Sequence, residues 1–454
     1  MSITASKLGS SPLFIDWSNL NSQTSSINNE GIASAWEQLE NRFKSNEVGF
    51  FNSAQSDEIS QAKASKELAS KILNSEKIKD CLFLGIGGSA LGPISLLSSL
   101  EHLKKSELKF HFVENPDPVD WNLTLSKLNP DTTLVCAVTK SGTTFETISL
   151  FMLALNWLTP SRWSENCVAI TDPQKGDLKN FAQKNEIPTL HIHPSLGGRF
   201  SIFSPVGLFP LALYGLSVDS FLEGAKKVQE SSKKLPNEKN PFSIFSTYFL
   251  KHETKRPIHV CMPYSTRLRS FANWWVQLWG ESLGKDKKGF SPIAAVGATD
   301  QHSLLQLLRD GPDDKVTCFI TIDQMGAQTE VPRLSFNKMQ DKPGSFLLLE
   351  GHSLQTLLQV EYQATSLVLA KQERPNFTIQ LSKLDEQNLG ALYFFFSVLT
   401  ALTGTLLKVN PFDQPGVEEG KIYIRDSLCR IKESQNTAQY DDSNSAVSRL
   451  RRDT

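Results

Sequence analysis

The 454-residue sequence lacks an excess of charge of either sign. It carries 47 Lys and Arg residues against 48 Asp and Glu residues, which gives a formal net charge of −1. A protein without a global basic field does not attract nucleic acid or an anionic membrane by charge alone, so any anion must be bound locally. We therefore expect neither nucleic acid nor a membrane as a partner.

Cysteine and long apolar runs are also scarce. The six cysteines are scattered, with no C-x-x-C pair, and several lie inside apolar runs. This is typical of reduced core residues in a cytosolic protein. The first residues lack the apolar core of a signal peptide, and we expect no stretch that stays apolar over the roughly 18 residues of a membrane helix. These absences predict a cytoplasmic protein.

The sequence CLFLGIGGSALGP at residues 81–93 is the first stretch with a chemical signal. Four apolar residues, then glycines and Ser89, then helical spacing from Ile94 predict a strand, a tight turn and a helix. Such a turn brings backbone N–H groups close to an anionic or hydroxyl-rich ligand. Ala90 stands where the dinucleotide pattern G-x-G-x-x-G needs its third glycine, which disfavours a nucleotide-binding enzyme. A ligand turn and a plain strand-to-helix turn both fit.

Short apolar runs alternate with helix-like segments on both sides of a polar stretch at 229–242. This alternation predicts parallel sheets covered by helices on both faces, with ligands at the carboxyl ends of the strands. We interpret the polar stretch as a linker. The predicted division is an N-terminal extension at 1–50, in which we find no chemistry, a first α/β domain at 51–228, a second at 243–424, and a polar tail at 425–454.

The sequence VTKSGTTFET at residues 138–147 forms a second turn between a strand and a helix. The four hydroxyl groups at residues 139–144, one glycine and a helix N-terminus suit a phosphate, which needs many donors and a positive dipole end. The alternative is a capping box, because Thr143 and Glu146 have the T-x-x-E spacing.

A third turn, Gly197-Gly198-Arg199, presents an arginine on a bare backbone, where it can stabilise negative charge on an oxygen. Considered alone, Arg199 also fits an ordinary surface loop. The preceding His191 and His193 are two residues apart on a predicted strand and could form a metal pair, but the motif offers no third ligand.

Glu281 lies on a predicted helix. Trp274, Leu278 and Glu281 fall on one face, so the carboxylate shares an apolar stripe and is a candidate general base. A solvated pair with Lys285 is the alternative.

His302 lies at a predicted helix start capped by Thr299 or Asp300. The helix dipole disfavours a cation at this end, so the imidazole could donate or accept a proton, although a structural histidine also fits. Further on, Gln414 and Lys421 could reach a ligand from a turn-rich stretch and the helix after it.

Together, these motifs resemble the glucose-6-phosphate isomerase (phosphoglucose isomerase) family of bacterial type. The matching segments run in the family's order from Gly85 to Lys421. The resemblance implies an α/β fold with two doubly wound sugar isomerase (SIS) sandwich domains and a C-terminal helical extension. It also implies a homodimer with composite active sites, in which the histidine reaches into the neighbouring subunit.

The resemblance further implies interconversion of glucose 6-phosphate and fructose 6-phosphate in glycolysis and gluconeogenesis, without metal or cofactor. The implied catalytic residues are Glu281, which carries a proton between C2 and C1 through a cis-enediol, Arg199, which stabilises the developing charge, and His302 and Lys421, which assist ring opening. The implied substrate-binding residues are Gly88, Ser89, Thr139, Lys140 (through its backbone), Ser141, Thr144 and Gln414. Thr139 stands where many bacterial members have serine, so the hydroxyl is kept and we expect little effect. Phe145 replaces a smaller or polar residue and could alter packing beside the phosphate.

Two rival functions remain at this point. A catalytically inactive SIS regulator would bind sugar phosphate without converting it, and predicts loss of the base, the histidine or the lysine, all of which are present. A metal-dependent sugar-phosphate isomerase of unrelated fold would use His191 and His193 and would be inhibited by chelators.

Overall fold

The computed structural model describes residues 5–20, 29–235, 237–335 and 343–436. Residues up to Pro411 form one compact unit and residues from Phe412 form a second. The strands are β1 (Ala5–Lys7), β2 (Leu13–Asp16), β3 (Asp80–Leu84), β4 (Lys109–Val113), β5 (Thr133–Val138), β6 (Cys167–Thr171), β7 (Thr189–His191), β8 (Ile258–Pro263), β9 (Ser291–Ala294), β10 (Lys315–Gln324) and β11 (Asn376–Lys383).

Helices connect and cover these strands. They are α1 (Asn29–Lys44), α2 (Phe50–Ser53), α3 (Asp57–Ser60), α4 (Ala62–Asn74), α5 (Leu91–Leu100), α6 (Pro118–Leu125), α7 (Phe145–Leu158), α8 (Trp163–Asn166), α9 (Asp177–Lys184), α10 (Pro205–Leu213), α11 (Val218–Lys234), α12 (Pro241–Lys251), α13 (Arg269–Leu283), α14 (Gln301–Asp310), α15 (Gly344–Leu349), α16 (Leu354–Lys371), α17 (Glu386–Leu406) and α18 (Glu418–Asn436). The prediction of an α/β fold with a C-terminal helix is confirmed.

The first sheet contains five parallel strands in the order β4-β3-β5-β6-β7. Every residue of β5 is buried, as expected for a strand covered on both faces. Strand β3 pairs with β4 on one side and with β5 on the other. The chain therefore goes from β3 to one side of the sheet, to β4, and then crosses to the other side, where β5, β6 and β7 follow. In open α/β sheets, ligands bind at such a switch point, beyond the carboxyl ends of the strands.

The second sheet has the order β1-β2-β11-β10-β8-β9. Strands β8 to β11 are parallel, whereas β1 and β2 form an antiparallel hairpin whose second strand pairs antiparallel with β11. The N-terminal extension therefore supplies two strands to this sheet.

Helix α17 corrects one expectation from the sequence. It has 21 residues and a mean hydropathy of 1.7 in its most apolar window, so by length and composition it could cross a membrane. However, 89% of that window is buried inside the protein, where α17 packs against α1, α11, α12 and α13. This burial identifies α17 as the central helix of the core.

The stretch interpreted as a linker is largely helical. Helix α11 continues to Lys234 and α12 begins at Pro241. The small polar residues in it are buried, and Ser231 and Ser232 donate their hydroxyl hydrogens to main-chain carbonyls of their own helix. Polar composition was therefore a poor guide to the structure of this stretch, because the serine hydroxyls form local hydrogen bonds inside the helix. In the predicted tail, α18 extends to Asn436, and residues 437–454 lie outside the described part of the chain.

Helices α11 and α17 approach each other closely at two glycines. A Cβ atom on Gly224 would lie 1.9 Å from the carbonyl oxygen of Gln387, and one on Gly390 would lie 2.0 Å from that of Phe221. These contacts leave no room for a methyl group on either helix.

We expect Gly224→Ala to lower the free energy of unfolding by about 1–3 kcal/mol, because the added methyl group must separate two packed helices. Urea denaturation measures this change. Gly344→Ala is the control, since a Cβ there has nothing within 4 Å, and it should change stability by no more than about 0.5 kcal/mol. Equal effects of the two substitutions would contradict this account of the packing.

Candidate active site

The first glycine turn lies against the third one. After β3, residues Gly87–Ser89 form a short 3₁₀ helix in which Gly87 has a φ of +55°. A Cβ atom on Gly88 would lie only 2.3 Å from the carbonyl carbon of Gly198 and 2.7 Å from the backbone nitrogen of Arg199. Gly88 thus permits a close approach of two backbones. This contact sets Arg199 beside the turn at the end of β3.

The Arg199 side chain is buried and bonded at each of its three nitrogens. Its Nε donates to the Ser282 hydroxyl at 2.6 Å, one terminal nitrogen lies 3.1 Å from Oε1 of Glu281, and the other donates to the Pro411 carbonyl at 2.6 Å. Only 2% of the residue is exposed. A buried charge needs such partners, and together they fix the plane of the guanidinium.

Glu281 lies on α13 where the sequence predicts it. Trp274 and Leu278 are buried on the same helix face, whereas the Glu281 side chain remains 27% exposed. Its second oxygen, Oε2, accepts a hydrogen bond from Nε2 of Gln277 at 3.1 Å. Lys285 donates to the main-chain carbonyls of Ser282 and Asn410. The carboxylate is therefore oriented by two donors but still accessible, as a general base must be.

The hydroxyl-rich turn after β5 gathers three side chains. The Thr139 hydroxyl lies 2.7 Å from that of Thr144, and the Ser141 hydroxyl lies 3.3 Å from both. Helix α7 begins directly afterwards, with Thr144 in the N-cap position and no side-chain cap hydrogen bond. The alternative prediction, a capping box of Thr143 and Glu146, is therefore wrong. Converging hydroxyls at a helix N-terminus suit a phosphate group.

The ammonium group of Lys140 is hydrogen-bonded to the protein itself. Its ammonium group donates to the Pro194 carbonyl at 2.7 Å. Burial lowers the pKa of Lys140, an effect opposed by the nearby Asp172 and reinforced by Lys175. The role expected for the backbone N–H of Lys140 stays a prediction.

The remaining predicted residues are His302, Gln414 and Lys421. His302 is the exposed second residue of α14, and Asp300 precedes that helix but uses its carboxylate to accept from the Val296 N–H at 2.7 Å. Gln414 and Lys421 belong to the second compact unit, where Lys421 pairs with Glu418 at 2.7 Å.

The candidate metal pair does not share a strand. Strand β7 ends at His191, and His193 lies beyond it with Nδ1 2.7 Å from the Ser195 hydroxyl. Within the described ranges, no group of three or more His, Cys, Asp or Glu side chains could hold a metal ion.

Sequence reasoning missed the partners that orient the charged pair. Gln277 had a usable signal, because it precedes Glu281 by four residues on the same helix face. The hydroxyl of Ser282 and the carbonyl of Pro411 had none, since their contacts with Arg199 join segments far apart in the sequence.

The switch point between β3 and β5, with its hydroxyl-rich turn, is typical of α/β proteins that bind small phosphorylated ligands. Comparison with known families is more specific. The model of the phosphoglucose isomerase family matches residues 57–447, and the chain belongs to this family.

Individual relatives agree with this assignment. The chain is 40% identical to the glucose-6-phosphate isomerase of Rubrobacter xylanophilus over 369 residues, which cover 79% of this chain and 84% of that protein. It is similar to the crystal structure of a hypothetical protein from Thermus thermophilus, with a TM-score of 0.84 and 32% identity, covering 92% of this chain and 99% of that one. A glucose-6-phosphate isomerase from Chlamydia trachomatis shares the fold, with a TM-score of 0.79, 22% identity, and coverage of 99% of this chain and 92% of that one. The predicted family and fold are confirmed.

We expect Thr144→Val to weaken the binding of inorganic phosphate by about tenfold, because one charge-assisted hydrogen bond is lost. Isothermal titration calorimetry measures the dissociation constant. Thr147→Val is the control, since the Thr147 hydroxyl is buried on the same helix and has no hydrogen-bond partner within the described part of the chain. Equal affinities of the wild type and Thr144→Val for phosphate would contradict the assignment of the phosphate site to this turn.

Proposed function

We propose that this protein interconverts glucose 6-phosphate and fructose 6-phosphate by ring opening and proton transfer through a cis-enediol intermediate, in glycolysis and gluconeogenesis. The observation that carries the mechanism is the Glu281 carboxylate held 3.1 Å from the buried Arg199 guanidinium, beside the glycine turn that follows β3. Family membership supports the reaction and its substrates. We also propose a cytoplasmic location.

In the proposed isomerisation step, Glu281 removes the proton from C2 of the open-chain aldose, the C2–H electron pair forms the C1–C2 double bond, and the C1 carbonyl pair moves to O1. A proton passes from O2 to O1, and Glu281 returns its proton to C1 as the carbonyl forms at C2. Negative charge develops on the sugar oxygens in between, and the fixed Arg199 cation stabilises it without having to reorganise. Gln277 and Arg199 together hold the carboxylate in one orientation, which favours transfer along a short path.

The proposed ring opening needs a proton to move between the ring oxygen and O1. His302 and Lys421 supply and accept this proton. The exposure of His302 at the start of α14 is compatible with this role.

We propose that the phosphate of the substrate binds to Thr139, Ser141 and Thr144 and to the backbone N–H of Lys140. The Thr139 hydroxyl takes part in this cluster. We further propose that Gly88, Ser89 and Gln414 orient the sugar.

We propose that the protein forms a homodimer with composite sites, His302 of one subunit completing the site of the other. Exposed apolar side chains support an interface between copies. On α6, Val119 and Leu123 are 64% and 55% exposed, and on α7 Met152 and Leu153 are 64% and 49% exposed. Neighbouring apolar side chains at this exposure are a mark of protein interfaces.

Conversion of fructose 6-phosphate to glucose 6-phosphate, coupled to a dehydrogenase, tests the function. We expect wild-type turnover that EDTA does not change and a loss of ~10²-fold or more in Glu281→Gln, which keeps the shape but cannot accept the proton. Glu37→Gln, an exposed glutamate on α1, should leave the rate unchanged.

Two results would contradict this function. Binding of sugar phosphate without turnover in the wild type would point to the regulator. Turnover that EDTA abolishes but Glu281→Gln tolerates would place the chemistry at a metal.

Mixing two inactive variants tests the composite site. A dimer of one Glu281→Gln chain and one His302→Ala chain has one site with both wild-type groups if the histidine crosses the interface. Random association then restores about one quarter of the wild-type activity, because half of the dimers are mixed and each has one competent site. No recovery in dimers shown to be mixed would place both groups in one subunit.

A further inference from the structure

The segment at residues 407–411 leads from the end of α17 to the active-site arginine. A Cβ atom on Gly404 would lie 2.8 Å from Cβ of Pro411, so the proline ring packs against this helix. The Pro411 carbonyl accepts from Arg199 at 2.6 Å. The position of this short segment therefore sets the position of one of the three groups that hold the guanidinium.

Cationic side chains from other elements hold the segment. The Leu407 carbonyl accepts from Lys288 at 2.9 Å, and the Asn410 carbonyl accepts from Lys285. The Asn410 side chain is held separately, because its Oδ1 accepts from both terminal nitrogens of Arg42 at 3.2 and 3.3 Å. Arg42 thus orients the side chain of Asn410, and Lys285 holds its backbone carbonyl.

Arg42 belongs to α1, in the N-terminal region where the sequence offers no catalytic motif. Its guanidinium is oriented by Glu47, whose Oε1 lies 2.9 Å from Nε and 2.6 Å from a terminal nitrogen. The contact with Asn410 lines an open recess of about 300 Å³, and the Arg42 side chain is 27% exposed. Removing this side chain enlarges an open recess and leaves no buried void.

We propose that Arg42 is a positioning residue for the isomerisation. It holds Asn410 so that the adjacent Pro411 carbonyl fixes the Arg199 guanidinium against Glu281. The route from Glu47 through Arg42, Asn410 and Pro411 to Arg199 consists of hydrogen bonds and one peptide linkage. This inference rests on the proposed isomerase activity.

The proposal predicts a specific kinetic effect. Arg199 acts on charge that develops after the substrate has bound, so a displaced guanidinium lowers kcat and leaves KM nearly unchanged. We expect Arg42→Ala to lower kcat about 3- to 30-fold, the range found for residues that act through a contact network. The kcat of Arg42→Lys should lie between those of the wild type and Arg42→Ala, because an ammonium cannot donate two hydrogen bonds in the geometry of the guanidinium. Lys44→Ala removes an exposed cation from the same helix turn and is the matched control.

A double-mutant cycle separates positioning from general destabilisation. Arg199→Lys alone should lower kcat by about 100-fold or more. If Arg42 acts through the guanidinium, adding Arg42→Ala to Arg199→Lys has little further effect, since the group to be positioned is gone. Independent effects that multiply would overturn the proposal, as would an Arg42→Ala enzyme with wild-type kcat.

Asn410→Ala provides a second test from the other side of the contact, and it should match Arg42→Ala alone and in combination. If Arg42→Ala does not fold, as judged by urea denaturation, Arg42→Lys and Asn410→Ala carry the same cycle. A wild type without turnover contradicts the proposed function, whereas an active wild type with multiplying effects contradicts only the role of Arg42.

Discussion

The buried guanidinium of Arg199 is the constraint on which the site depends. With 2% of the residue exposed, the cost of burying its charge has to be offset by hydrogen bonds and an opposite charge. The three partners come from α13 and from the segment that follows α17. One side chain therefore joins parts of the chain more than 80 and more than 200 residues away, and it orients the carboxylate that we propose as the general base.

Backbone contact between two glycine turns makes this arrangement possible. Gly88 follows β3 and Gly198 precedes the arginine, and the close approach leaves no room for a side chain at position 88. The turn after β5 lies beside the first turn because β3 and β5 are paired neighbours. Sheet order thus brings the hydroxyl-rich turn and the Arg199–Glu281 pair to the same edge, although nothing in either turn alone requires the other.

The sequence predicted the features that depend on local signals. β3, the glycine turn and the helix after it lie where residues 81–93 predict them, and α13 places Glu281 on a face with buried Trp274 and Leu278. Apolar runs, glycine turns and helical spacing suffice for such elements. The helix through 229–234 was missed because its buried serines satisfy their hydroxyls inside the helix. Strands β1 and β2 were missed because they are short, and β2 joins the sheet by pairing with the distant strand β11.

The limits of prediction at the site have the same physical origin. A motif reports which residues occur together along the chain, whereas the orientation of Arg199 is decided by a hydroxyl and a carboxylate on α13 and a carbonyl in the segment after α17. Lysine could carry the charge but not the geometry, because its ammonium lacks the planar set of donors that spans Ser282, Glu281 and Pro411. The requirement for arginine at this position therefore follows from the positions of these three partners in the fold and not from charge alone. A residue that fixes one of the partners also helps to orient the guanidinium.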